Sequence, residues 1–111
     1  MGKRVAGPRR LMRRLVGARV EITIARQTIA ITEEELSRLL RGLAELRVTA
    51  AASVAEEISA LHLAGIRVQL LPSKPELQAL NTALRAVEPI SRGGSGLTRL
   101  RTVCEACIAG T

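Results

Sequence analysis

Phenylalanine, tyrosine and tryptophan are all missing from this chain of 111 residues. Each aromatic side chain normally buries roughly 150–250 Å² and dominates core and interface energetics. Without them the core must be built from Leu, Ile, Val and Ala, and a domain so built gains from a partner chain. Their absence also excludes a base-stacking platform for single-stranded nucleic acid and an aromatic cage for quaternary ammonium ligands. Aspartate is missing too, which removes Asp-based triads and most Mg²⁺ or Ca²⁺ loops. His62 is the only imidazole, so any Ser–His or Cys–His nucleophile would have to use it. With so thin an inventory of acids, bases and nucleophiles, neither an enzyme nor a cofactor is expected.

Long hydrophobic runs are lacking as well. No stretch approaches the ~18–20 apolar residues of a transmembrane helix. The pairs Arg9-Arg10 and Arg13-Arg14 superficially suggest a twin-arginine signal, but Arg19 and Glu21 stand where an apolar segment would have to follow. Two cysteines do not make a disulfide scaffold, and a cytoplasmic location is expected.

What the chain does have is charge in one place. The formal net charge is +7, and Lys3, Arg4, Arg9, Arg10, Arg13, Arg14 and Arg19 stand in the first nineteen residues without one acid. The remaining basic and acidic side chains cancel. Residues 1–19 therefore read as a basic arm, with Leu11, Met12, Leu15 and Val16 sharing one helical face. Such an arm binds polyanions through phosphate contacts and counterion release. Nucleic acid is the expected partner, with these seven side chains as the contact residues. An anionic membrane surface, an acidic protein, or a solvated extension of no specific role are the other readings.

Residues 20–88 read as the folded domain. Val20 to Thr32 forms a hairpin with Ala25-Arg26 as its two-residue turn, setting Ile24 opposite Gln27, Ile22 opposite Ile29 and Val20 opposite Ile31. That register gathers the β-branched apolar residues on one face and leaves Glu21, Thr23, Thr28 and Ala30 on the other. Ala-Arg is a poor pair for a type I′ turn, where Asn-Gly is favoured. Capping boxes at Thr32–Glu35, Ser53–Glu56 and Ser73–Glu76 predict three helix starts. The first helix carries Leu36, Leu39, Leu40, Leu43 and Leu46 at helical spacing, and the second carries Val54, Ile58 and Leu61 and stops at Gly65. Between the second and third helices, Ile66 to Leu71 alternates as a strand.

The expected fold is a two-layer α+β domain of order β-β-α-α-β-α, a small three-stranded sheet with its helices on one face. Such a sheet has two open edges, so a homodimer is expected. Residues 89–111 read as a Gly/Ser linker followed by a short helix with Leu97, Leu100, Val103, Cys104, Cys107 and Ile108 on one stripe.

The remaining motifs are ambiguous. Cys104-Glu-Ala-Cys107 is a lone CxxC that continues an apolar stripe, so packing is the first expectation, with a metal site shared across a dimer or redox chemistry as alternatives. The acidic clusters Glu33-Glu34-Glu35 and Glu56-Glu57 fall in predicted first turns, where they complement the helix dipole. Residues 91–96 have the glycines of a phosphate loop but lack its Lys-Ser/Thr. No metal site is expected. A binding module whose arm contacts nucleic acid is the first reading, and a protein-interaction adaptor in which the arm is incidental is the second.

Overall fold

Apolar alternation and turn chemistry decide the first element of the computed structural model, which describes residues 19–87 and 96–110. Strands β1 (Arg19–Ile24) and β2 (Gln27–Thr32) pair antiparallel, with Ile24 opposite Gln27, Ile22 opposite Ile29 and Val20 opposite Ile31. Ala25 and Arg26 both adopt left-handed backbone, at φ of 51° and 69°. Neither residue favours that region. The register wins because it buries Val20, Ile22, Ile24 and Ile31 together, and a one-residue slip would turn them all outward.

Helix α1 (Glu33–Leu46) starts at the expected capping box. The Thr32 N–H donates to Glu35 Oε1 at 2.8 Å, and the Glu35 N–H donates to Thr32 Oγ1 at 3.0 Å. Its buried side is Leu36, Leu39, Gly42 and Leu43. Arg47, at φ 54°, ends it.

Helix α2 (Thr49–Leu63) corrects one expectation. It begins a full turn before Ser53, behind Val48, which supplies no side-chain cap. The run Ala50-Ala51-Ala52 propagates helix upstream without a cap, and Ala51 joins the buried face with Val54 and Ile58. Ser53 instead donates from Oγ to Glu76 Oε2 at 2.9 Å, tying α2 to the start of the next helix. Gly65, at φ 73°, turns the chain out of α2.

Strand β3 (Val68–Leu70) is shorter than the alternation suggested and pairs parallel to β1, Val68 opposite Ile22 and Leu70 opposite Ile24. The sheet order is β2-β1-β3. Helix α3 (Lys74–Val87) starts at the third box, where the Ser73 N–H donates to Glu76 Oε1 at 2.8 Å. Helix α4 (Gly96–Ala109) is longer than expected and packs into the same core through Leu97, Leu100, Val103 and Cys104.

The result is the α+β architecture read from the sequence, with helices against the apolar side of a three-stranded mixed sheet. Among the described residues the core is wholly aliphatic apart from the Cys104 thiol, and no charged or polar side chain is buried in it. The other side of the sheet presents Glu21, Thr23, Thr28 and Gln69. No helix among the described residues is long and apolar enough to cross a membrane.

Candidate nucleic-acid interface

Of the seven basic residues singled out, the structure describes Arg19 alone. Lys3, Arg4, Arg9, Arg10, Arg13 and Arg14 lie outside the described residues. Arg19 is the first residue of β1 and is exposed. It marks where the arm joins the fold.

Parallel pairing of β3 with β1 aligns the amino ends of the two strands, so Arg19 shares an open cleft of about 560 Å³ with Glu21, His62 and Arg67. Alternation along Ile66–Leu71 puts Arg67 outward without indicating its neighbours. A two-helix crossover brings it beside β1, and the end of α2 adds His62. No local sequence signal announces this meeting, because parallel pairing depends on where the crossover returns.

Two carboxylates answer these groups. Arg67 Nε lies 3.6 Å from Glu21 Oε1, both side chains more than half exposed. His62 Nε2 lies 3.1 Å from Glu33 Oε1. The exposed Arg67–Glu21 pair contributes about 0–1 kcal/mol, so it leaves Arg67 available to a stronger anion. A phosphate accepts paired N–H bonds from a guanidinium and outcompetes a distant carboxylate.

The acidic clusters divide their tasks. Glu35 completes the α1 cap, Glu34 accepts from Arg38 Nη2 at 2.9 Å, and Glu33 meets His62 across to α2. Glu76 is held below its ordinary carboxylate value by the Ser73 N–H, against the opposing effect of burial and with further help from the Ser53 and Ser73 hydroxyls. Each of these carboxylates stabilises a helix start, a turn within α1 or a helix–helix contact. Glu56 and Glu57 correct an expectation: α2 starts at Thr49, so they lie mid-helix and not in a first turn.

The two thiols differ. Cys104 is fully buried, and burial pushes its thiol up to about 12, with the charges of Cys107 and Glu105 adding to the shift. A thiol so placed is protonated at neutral pH and a poor nucleophile. Half-buried Cys107 lines an apolar cleft of about 270 Å³ with Ile24, Leu70, Leu71, Pro72 and Leu77. Of the glycine-rich segment, Gly96 alone is described, and it opens α4.

Comparisons with protein-family models, curated proteins and solved structures find no significant match.

Proposed function

We propose that this protein is a non-enzymatic binding module whose basic arm neutralises nucleic-acid phosphates, working as a homodimer in the cytoplasm. The observation that carries the reading is the charge map: the whole net charge of +7 stands in residues 1–19. The position of Arg19 in one cleft with Arg67 supports it, because the arm joins the domain where a further guanidinium is exposed. Two free cysteines are in keeping with a reducing compartment. An aliphatic core without aromatics is in keeping with assembly.

Phosphate contacts carry no sequence information, so the arm should bind duplexes of any sequence alike. The test is duplex affinity measured against salt. The expected result is a steep fall in affinity, and an equal weakening on all sequences when Arg9, Arg10, Arg13 and Arg14 are neutralised. A chain starting at Met12 that binds as well as the full chain would refute the reading.

One observation favours the adaptor reading. Leu63, Ile66 and Leu71, exposed by 85%, 58% and 89%, flank β3 on the surface. If that surface is the protein's business, a partner protein binds irrespective of arm deletion, and duplex binding is absent near physiological salt.

A further inference from the structure

The two edges of the sheet are not equivalent. The two-residue turn closes on Ile24–Gln27 as a hydrogen-bonded pair, so Thr23–Thr28 is a non-hydrogen-bonded one, and their side chains stand close enough for the two Oγ1 atoms to share a 2.8 Å hydrogen bond. Pairs alternate along the ladder, so Glu21–Ala30 is of the same kind. The Ala30 carbonyl therefore points away from β1, to the outer edge of β2. Gly96 sits against it: a Cβ there would strike that oxygen and approach Ile31 Cγ2 to 2.7 Å. The start of α4 thus blocks the β2 edge at Ala30.

Alternation also fixes the far side. Thr23 directs its backbone groups toward β3, where its register partner is Gln69. In a parallel ladder such a residue bonds the neighbours of its partner, here Val68 and Leu70. Arg67, Gln69 and Leu71 are left with outward N–H and C=O groups, and none has a backbone partner among the described residues. Among the described residues, three of the four large exposed apolar side chains, Leu63, Ile66 and Leu71, flank this strand. An uncovered edge bordered by apolar side chains is a template for another strand.

We propose that the occupant is a second copy of this chain, paired antiparallel through β3 about a two-fold axis at Gln69. The inference rests on the homodimer part of the reading above and names its surface. In this register Gln69 meets Gln69 of the second copy, and Arg67 meets Leu71 at both ends. All three outward-facing residues of each edge then find outward-facing partners. Side-chain amides both donate and accept, so the two Gln69 are self-complementary. Each Leu71 covers the aliphatic stem of an Arg67, and Ile66 lands opposite Pro72. The two Arg67 stay about 13 Å apart, four strand residues, so like charges do not meet.

With the β2 edge blocked at Ala30, a two-fold pairing through β3 uses the one edge that is uncovered along its length among the described residues. A fibre would need two. The product is a six-stranded sheet with both helical layers on one side and both polar faces on the other.

Sedimentation equilibrium of the full chain over micromolar concentrations tests this. The wild type is expected to be dimeric. Gln69→Pro removes an N–H that points outward, not toward β1, so it is expected to yield a folded monomer with unchanged far-UV circular dichroism. Should that variant fail to fold, Leu71→Glu and Leu71→Arg decide the register, since both delete the same apolar group. Glutamate faces Arg67 twice and arginine repels it twice, so the dimer of Leu71→Arg is expected to be at least about tenfold weaker than that of Leu71→Glu. That gap should collapse in an Arg67→Gln background. A monomeric wild type overturns both the dimer reading and this inference. A dimer indifferent to Gln69→Pro and to the sign of charge at position 71 overturns the β3 pairing alone.

Discussion

Gly96→Ala tests how closely α4 is docked on the sheet. The added Cβ meets backbone: the Ala30 carbonyl oxygen first, then Ile31 Cγ2 at 2.7 Å. Neither is the far end of a flexible side chain, so the helix must lift off β2 or the strand must bend. Overpacking of this kind costs about 1–3 kcal/mol, while the gain from a less flexible unfolded chain is about 0.4–1 kcal/mol. Gly96 is the first residue of α4, where interior helix propensity adds little. A net loss of about 1.3 kcal/mol follows. At ~4–8 °C per kcal/mol for a small domain, the midpoint falls by roughly 5–10 °C. Gly42→Ala is the matched control. Its Cβ would meet Val87 Cγ1 at 3.2 Å, a side chain at the end of α3 that can yield by tenths of an ångström. Mid-helix, alanine gains up to ~1 kcal/mol over glycine, so the change should stay within ~1 kcal/mol of wild type. Urea unfolding of both variants at one protein concentration reads the difference, since any self-association would make stability concentration-dependent. Gly96→Ala as stable as wild type, or no less stable than Gly42→Ala, would refute the close docking of α4.

Replacing the turn pair by Ala25→Asn with Arg26→Gly should stabilise the hairpin by about 1–2 kcal/mol, because both positions are left-handed and both native residues are disfavoured there; an unchanged urea midpoint would contradict the observed turn. The lowered Glu76 value makes a stabilising contribution that is complete above its ordinary 4.5 and is lost as pH falls through the folded value. Unfolding measured from pH 7 to pH 3 should therefore show Glu76→Gln losing its deficit against wild type as acid is added. With a thiol-specific disulfide reagent at pH 8, Cys107 should react readily and Cys104 only on unfolding. Cys104→Ser should cost about 1–3 kcal/mol by burying a hydroxyl without a partner.

Local chemistry made much of the fold legible. The hairpin register followed from alternation alone, despite a turn pair that argues against it, because burial of four β-branched side chains outweighs two strained residues. The boxes at Thr32 and Ser73 are true helix starts. Ser53–Glu56 matches the same pattern and is not one: a capping box reports a helix end only if helix formation stops upstream, and the alanines of α2 do not stop it. By sequence Gly96 belongs with the linker, because a glycine needed for close approach is indistinguishable in sequence from one needed for flexibility. The arm stood out as unbalanced charge. The meeting of Arg19 with Arg67 and His62 did not, since it depends on the parallel return of β3.

The register of β1 against β3 also sets where two arms would stand. Ile22 lies opposite Val68, so Arg19 begins β1 four residues short of the Gln69 level. Across a two-fold axis at Gln69, the two Arg19 positions fall at opposite corners of the sheet, about 30 Å apart by strand rise and spacing. That span approaches the ~34 Å turn of a B-form duplex. Two arms so placed would grip successive turns of one duplex, and engagement of the first would hold the second at high effective concentration. A short strand with no direct phosphate contact would then govern avidity, and separating the chains at β3 would weaken duplex binding although every basic residue remained.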